Sequence, residues 1–309
     1  MIRASRMWIV ATAGVCILLG SVRDLVADET PAPAAPARPP RYVPIQLDEA
    51  EAAKLQSDWA AKLGSTIETK TPTGITMTLI PPGGEAIPSP YWIGKYELLA
   101  REWQAVNGPD PAKAGGAKQG QGGDQETNRL PVRGVGWFEC IQFCNRLSEK
   151  EGFEPFYAIT DIETERNKRY IITAKVEVLG GDGYRLPTPA EWEHAARSGT
   201  VTMFCFGKDE TKVEDYGWHM SNSGNRVHEV GEKLPNHWGL HDVYGNLREW
   251  VQESRADPQT KLINTVRCYG GSFHYKPFGS SGARWHGAAG GVGFVGVRLA
   301  RNASPAAGK

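Results

Sequence analysis

The sequence has no excess of charge of either sign. Its 309 residues include 35 lysines and arginines and 35 aspartates and glutamates. A protein that binds nucleic acid or an anionic membrane through its charge needs a basic excess to replace the counterions. The balance therefore argues against a nucleic-acid partner and against electrostatic binding to a membrane surface.

The apolar run near the N-terminus, Met7 to Leu19, is shorter than the roughly 20 residues that span a bilayer. Arg3 and Arg6 form a short basic region around its start, and Ala27 offers a small residue for cleavage. We therefore predict a signal peptide over residues 1–27, with a retained membrane anchor as the alternative. Cleavage would give a secreted or periplasmic protein with no transmembrane anchor and a net charge of −2.

Cysteine is scarce, with five residues in the chain, one of which lies in the predicted signal peptide. Cys140 and Cys144 stand one helical turn apart, where a redox or metal pair is one interpretation. We favour the other, that both are small buried apolar residues, because this helix has apolar positions to fill. Cys205 and Cys268 are candidates for a disulfide in an oxidising compartment.

Glycine is abundant, with 36 residues, and the predicted elements are short and joined by long loops. Residues 28–44 are rich in proline and alanine and form a predicted linker, and Gly108–Gly123 is a predicted surface loop. Hydrophobic patterns predict the following elements: a helix at Asp48–Leu63, strands at Ile75–Ile80 and Tyr91–Leu98, helices at Arg101–Val106 and Trp137–Lys150, and a hairpin within Ile159–Val178. This content indicates an irregular α+β domain.

The segment Tyr184–Thr200 is the most informative part of the chain. Thr188 is a predicted N-cap, Pro189 suits the first helical position, and Glu191 completes a capping box. Ser198-Gly199 ends the predicted helix. A capping box alone is a structural device, so the information lies in the whole string.

That string resembles the arginine-leucine-proline-threonine and alanine-glutamate-tryptophan-glutamate segment of the formylglycine-generating (sulfatase-modifying factor) family. Other strings of the family occur in the family's order: Pro81-Pro82-Gly83, Trp92–Glu97, Arg101–Trp103, Pro131-Val132 with Gly136-Trp137, Pro235–Leu240, Gly245–Trp250, Gly270–Phe273 and Gly296–Ala300. The resemblance spans about residues 75–301. It implies a single α+β domain of the formylglycine-generating-enzyme type, C-type-lectin-like and with little regular secondary structure. Residues 45–74 would form an N-terminal helix and connector, and residues 302–309 a tail.

The resemblance implies copper chemistry only where two cysteines are present. Oxygen-dependent members of the family use two cysteines, soon after the glycine-glycine-serine strand, to bind copper(I) as thiolates. The matching positions here are Tyr275 and Ser280, whose phenol and hydroxyl are hard, poor ligands for copper(I). We therefore expect no copper site and no generation of formylglycine.

The resemblance also implies one calcium ion at the family's glycine-asparagine-x-tryptophan-glutamate-tryptophan turn. The matching ligands are the side chains of Asp242 and Glu249 and the backbone carbonyls of Gly245 and Leu247, which are the hard oxygens that calcium takes. Arg248 replaces the family's tryptophan, and it would face solvent or pair with Glu249 and compete with the ion. The alternative is that the two carboxylates are hydrogen-bonding turn residues without a metal.

A candidate pocket surrounds the positions of the two missing cysteines, and its residues are Ser272, His274, Tyr275, Ser280, Arg284 and His286. One hypothesis places a mononuclear iron on His274 and His286. Iron-dependent relatives of the family take their histidines from an additional helical domain, which residues 45–74 are too short to supply. The alternative is that both are loop histidines without a metal.

Two classes of function follow. The first is a secreted or periplasmic enzyme of the family with altered chemistry, of which an iron-dependent oxidoreductase is one form. The second is a non-catalytic binding or accessory module whose cleft takes a peptide, a glycan or a partner protein. Aromatic residues could line such a cleft, namely Phe273, Tyr275, Phe278 and Trp285. The sequence specifies neither the ligand nor the oligomeric state.

Overall fold

A computed structural model describes residues 42–108, 128–165, 170–276, 283–287 and 293–304. The predicted signal peptide (1–27), Phe278 and Ser280 lie outside these ranges, as do most of the predicted linker, surface loop and tail. Within the described ranges, no helix has the length and apolar character that crossing a membrane requires.

The helices of the described ranges are α1 (Glu49–Lys62), α2 (Ala100–Asn107), α3 (Trp137–Lys150), α4 (Pro189–Arg197) and α5 (Val213–Tyr216), with a 3-10 turn at Glu210–Lys212. The strands are β1 (Glu68–Lys70), β2 (Thr76–Ile80), β3 (Tyr91–Gly94), β4 (Tyr157–Thr164), β5 (Ile171–Val178), β6 (Arg248–Ala256), β7 (Ile263–Tyr269), β8 (Ala283–Gly287), β9 (Val295–Gly296) and β10 (Ala300–Asn302). The predicted bounds of α3 are confirmed at both ends. Those of α1 and α2 differ by one residue at each end.

The strands form three sheets. The first has the order β1-β2-β3-β10, the second is the predicted hairpin β4-β5, and the third has the order β8-β7-β6-β9, in which β6 and β9 run parallel. One large hydrophobic cluster includes the apolar face of α3, and a second includes the apolar face of α4. Short strands and long connections confirm the irregular α+β architecture.

Strand β3 ends at Gly94, earlier than the predicted end at Leu98. From Gly94 onward, groups of the chain form hydrogen bonds with or through buried side chains. The carbonyls of Gly94 and Lys95 accept N–H groups of Arg298 at 2.8 and 3.0 Å. The carboxylate of Glu97, which is also buried, accepts a backbone N–H at 2.8 Å. β3 is therefore shorter than predicted because the carbonyls of Gly94 and Lys95 bond to the Arg298 side chain.

The predicted capping box at the start of α4 is confirmed. The Thr188 hydroxyl accepts the Glu191 N–H at 3.2 Å, and the Glu191 carboxylate accepts the Thr188 N–H at 2.8 Å. The same carboxylate receives two N–H groups of the buried Arg185 guanidinium at 2.6 and 2.7 Å. Ser198 ends the helix in the left-handed conformation, with φ of 45°. Glu191 thus caps the helix and neutralises a buried arginine at once.

All four cysteines of the described ranges are free and buried. Cys140 and Cys144 fill the apolar face of α3, as predicted. The structure contradicts the Cys205–Cys268 disulfide, because Cys268 lies in the larger hydrophobic cluster and Cys205 lies in the other. Burial raises the pKa of both thiols to about 11, so both stay protonated near neutral pH.

His194 on α4 is fully buried and joins the N-terminal segment to the domain. Its Nε2 lies 3.0 Å from the carbonyl oxygen of Pro81, and its Nδ1 lies 3.1 Å from the hydroxyl of Tyr42. Since a carbonyl can only accept, Nε2 carries the proton and Nδ1 accepts from Tyr42. Burial lowers the pKa of His194 to about 4, which keeps the imidazole neutral at pH 7.

Acidification should destabilise the domain through His194. Its folded pKa of about 4 lies below its ordinary value of 6.5, so the unfolded chain takes up the proton first and stability falls as the pH drops through this window. The loss should reach about 3 kcal/mol. Urea unfolding at several pH values measures it, with His194→Gln as the comparison. Equal losses of stability in the two proteins between pH 6.5 and 4 would contradict the assignment.

Candidate functional site

The turn that the family resemblance marks for calcium is built around a buried ion pair of Glu249 and Arg298. The Arg298 guanidinium donates to both carboxylate oxygens of Glu249 at 2.6 to 3.0 Å. Nε1 of Trp192 donates to the same carboxylate at 2.5 Å. The other N–H groups of Arg298 donate at 2.8 to 3.0 Å to three backbone carbonyls, those of Gly94, Lys95 and His241. All five N–H groups of this arginine are therefore used.

Two further carboxylates, Asp242 and Glu97, are buried near this pair. Oδ2 of Asp242 accepts the N–H of Gly231 at 2.8 Å, and Oδ1 has no hydrogen-bond partner among the described residues. Burial raises the pKa of Asp242 to about 6, and burial together with the neighbouring carboxylates raises the pKa of Glu97 well above its usual value. Both oxygens of Glu97 accept N–H groups, one from the Leu247 backbone and one from the Asn246 side chain.

Two of the candidate calcium ligands, Glu249 and Asp242, already accept hydrogen bonds in this arrangement. Calcium takes six to eight oxygens, but the Glu249 carboxylate already accepts from Arg298 and from a tryptophan, and Asp242 Oδ2 accepts a backbone N–H. The described residues include no group of three His, Cys, Asp or Glu side chains that could hold a metal. Gly245 and Leu247 lie in the same turn. The positive charge that balances the Glu249 carboxylate comes from Arg298. The calcium site stays a prediction.

Two arginines approach the ring of Tyr275, the residue that the family resemblance matches to the first of the two copper-binding cysteines. The guanidinium carbons of Arg248 and Arg284 lie 5.3 and 5.6 Å from the ring centroid, within the range of a cation–π interaction. Phe294 packs edge-on against the same ring, with 5.3 Å between centroids. Arg248 is completely buried, Tyr275 is half-buried and Arg284 is exposed. The Tyr275 ring therefore contacts both a buried guanidinium and an exposed one.

Arg248 neither faces solvent nor pairs with Glu249, so both sequence expectations for it are wrong. The two residues open β6, and consecutive residues of a strand point to opposite faces. Glu249 turns to Arg298, whereas Arg248 turns to Tyr275 and forms a hydrogen bond with the thiol of Cys268. The alternation of side chains along a strand is the sequence signal that would have placed Arg248 and Glu249 on opposite faces, once β6 was recognised.

The other candidate residues are spread over the same surface without forming a catalytic group within the described ranges. Ser272 is buried, and its hydroxyl accepts the backbone N–H of His274 at 3.4 Å. His274 is exposed, and its Nδ1 lies 2.8 Å from the side-chain oxygen of Asn225. His286 is half-buried and packs edge-on against Trp250, with 5.6 Å between centroids. Burial and then the two neighbouring arginines lower the pKa of this histidine.

A cavity of about 310 Å³ lies beside β3 and α2, and none of the candidate residues lines it. Three of its charged residues, Lys95, Glu68 and Arg129, have partners within the protein. Nζ of Lys95 lies 2.6 Å from the Glu68 carboxylate, and Arg129 donates to the carbonyl of Val230 at 2.7 Å. We therefore place the candidate site at the surface around Tyr275 and not in this cavity.

A sequence model described as "Sulfatase-modifying factor enzyme 1-like domain" matches residues 61–303. The chain is 31% identical to the chaperone protein LppX of Paenibacillus barcinonensis over 193 residues, which are 56% of this chain and 65% of that relative. It is 32% identical to the formylglycine-generating enzyme of Thermomonospora curvata over 117 residues, which are 29% and 39% of the two chains. The chain thus spans less than two thirds of the length of each of these curated relatives.

Among solved structures, the variable protein 1 of Treponema denticola has a similar fold. The TM-score is 0.63 at 27% sequence identity, and the match covers 77% of this chain and 100% of that chain. The similarity extends over the whole of that protein.

Replacing Arg298 should destabilise the domain strongly. Arg298→Met leaves the Glu249 carboxylate buried without its counter-charge, at an expected cost of about 3–5 kcal/mol. The matched control is Arg146→Met, since Arg146 is exposed and donates to the Asn107 side chain; the expected change is below about 0.5 kcal/mol. Urea unfolding of both variants and the wild type measures the difference. Similar stabilities for the two variants would show that the ion pair does not hold the turn.

Proposed function

The chain belongs to the sulfatase-modifying factor family, and from that premise we propose that it is an exported binding or accessory module and not a formylglycine generator. The observation that carries the proposal is the chemistry at Tyr275, where a phenol stands at a copper position with two guanidiniums near its ring. Binding needs side chains that hold a ligand, whereas oxidising a client cysteine needs a redox centre.

The residues around Tyr275 do not fit copper. Copper(I) prefers soft thiolates, and a neutral phenol is a hard, weak ligand. Arg248 and Arg284 add two positive charges that repel a cation from this position. The Cys268 thiol lies beside Arg248, but its pKa of about 11 keeps it protonated and unsuited to metal binding near neutral pH.

Two further observations support a binding role and export. One relative is named chaperone protein LppX, and we take a binding role for this chain from that name. The N-terminal pattern of Arg3, Arg6 and the apolar run Met7–Leu19 supports a signal peptide and a location in the periplasm or outside the cell. The proposed ligand class is a peptide, a glycan or a partner protein held at the surface around Tyr275.

The purified mature protein should leave a sulfatase-derived peptide unchanged when copper and oxygen are supplied. The expected result is an unmodified peptide cysteine, because Tyr275 cannot act as a copper(I) thiolate. Mass spectrometry of the peptide measures aldehyde formation, and a formylglycine-generating enzyme assayed in parallel is the positive control. Aldehyde formation at a rate comparable to the control would overturn the proposal.

The second candidate function is an oxidoreductase with iron on His274 and His286. Both histidines approach the aromatic surface, since His274 lies 5.6 Å from the Tyr275 ring and His286 lies 6.3 Å from the Phe294 ring. No third ligand joins them among the described residues, which leaves the binding module as the better-supported proposal.

Metal content separates the two functions. We expect the purified protein to carry no stoichiometric iron or copper, because the described surface offers cations and aromatic rings in place of a ligand set. Elemental analysis measures this, with the double variant His274→Ala and His286→Ala as the matched control. Stoichiometric iron that is lost in the double variant would favour the oxidoreductase, whereas bound calcium alone leaves the binding module intact.

A further inference from the structure

The cavity beside β3 and α2, called the β3–α2 cavity, is lined by more positive than negative side chains. Its volume of about 310 Å³ lies within the size range of sites that hold small molecules. Its cationic lining residues are Lys70, Lys95, Arg101 and Arg129, and its acidic ones are Glu68, Glu97 and Glu102. None of these residues belongs to the surface around Tyr275, so the cavity is a separate feature of the domain.

The three carboxylates of the β3–α2 cavity already accept hydrogen bonds from the protein. Glu68 accepts from Nζ of Lys95 at 2.6 Å, and Glu102 accepts the backbone N–H of Leu99 at 3.0 Å, at the start of α2. Both oxygens of the buried Glu97 accept N–H groups of the loop before β6. The carboxylates therefore have structural roles, and the cationic side chains are the groups that can recognise a ligand.

Three cationic side chains of the cavity are exposed, those of Lys70, Arg101 and Arg129. Burial raises the pKa of Glu102, and Arg101 and Arg129 are among the groups that oppose this rise, so both guanidiniums lie within electrostatic range of one carboxylate. The guanidinium carbon of Arg129 also lies 5.2 Å from the centroid of the Tyr96 ring. Positive charge from β1, α2 and the segment before α3 is thus combined in one cavity.

The lining of the β3–α2 cavity also has an apolar side. Ile75 and Leu99 are buried there, and the ring of Tyr96 is half-buried. His241 stacks on that ring, with 5.0 Å between centroids. An inorganic ion would leave this apolar surface in contact with water, whereas an organic anion would cover it. The combination of charge and apolar surface therefore favours an organic anion.

We infer that the β3–α2 cavity binds a small organic anion with one carboxylate and an apolar body. The planar fork of N–H donors of Arg101 matches a carboxylate in a bidentate manner, and Lys70 adds a compact positive charge. The apolar body covers Ile75, Leu99 and the Tyr96 ring. The carboxylate belongs to a free organic acid or to the C-terminus of a peptide, which share this chemistry. This site goes beyond the proposed function, because it lies outside the surface that carries that function.

Calorimetric titration of the mature protein with benzoate, benzamide and the dipeptide acetyl-alanyl-phenylalanine, at constant ionic strength, tests the inference. The wild type should bind benzoate or the dipeptide with a dissociation constant of about 1 mM, the order expected for a ligand of this size. Benzamide has the shape of benzoate without its charge, so it should bind at least about tenfold more weakly. The tighter of the two carboxylates identifies the free acid or the peptide C-terminus as the source.

Arg101→Gln is the decisive variant, because Arg101 is exposed and its replacement leaves the core intact. It should weaken binding of the carboxylate about tenfold through the loss of the bidentate donor. The matched control is Arg146→Gln on α3, since Arg146 is also exposed, donates to the Asn107 side chain and does not line the cavity. This control should bind as the wild type does.

The methyl resonances of Ile75 and Leu99 locate the bound ligand, because both side chains line the cavity. Both should shift on titration with benzoate in the wild type and in Arg146→Gln, while the methyl resonances of the exposed Leu234, outside the cavity, should stay in place. Four results would overturn the inference: no saturable binding of benzoate or the dipeptide, equal binding of benzoate and benzamide, equal weakening in the two arginine variants, or unshifted resonances of Ile75 and Leu99. None of them changes the aldehyde assay, so failure of this site and failure of the proposed function are distinguishable.

Discussion

The rest of the domain depends on the buried guanidinium of Arg298. It donates every one of its N–H groups, to the Glu249 carboxylate at the start of β6 and to carbonyls at the end of β3 and in the loop before β6. These partners lie 49 and 204 residues away in the sequence for Glu249 and Gly94. Burying such a charge is costly, and full hydrogen bonding offsets the cost only when all partners are held in place. The pair therefore connects the sheet that contains β3 to the sheet that contains β6.

Fixing Glu249 also fixes its neighbour on the other face of β6. Because Glu249 turns to Arg298, Arg248 turns to the ring of Tyr275. The family resemblance matches Arg248 to a tryptophan and Tyr275 to a cysteine of the family, and the structure brings these two residues into contact. The two positions therefore belong to one surface.

Local patterns predicted the elements that local interactions determine. The bounds of α3 and the Thr188 cap depend on residues within a turn or two, and both are confirmed. The partner of Arg298 could not be predicted in this way, since local spacing carries no information about a residue 49 positions away. Gln56 in α1 shows the same limit. It is buried because its amide donates to backbone carbonyls of two distant segments at 2.8 and 3.2 Å. Likewise, the sequence marked Tyr275 as a candidate site residue but did not predict its contact with Arg248.

The central claim is that the surface at Tyr275 opposes copper(I) by both charge and ligand type. Competition for copper(I) between the mature protein and a chromophoric chelator, under anaerobic and reducing conditions, tests it most directly. The account predicts that the chelator keeps its copper, with the same result for the wild type and for Tyr275→Phe. One copper(I) ion held per chain by the wild type, and lost in Tyr275→Phe, would contradict it.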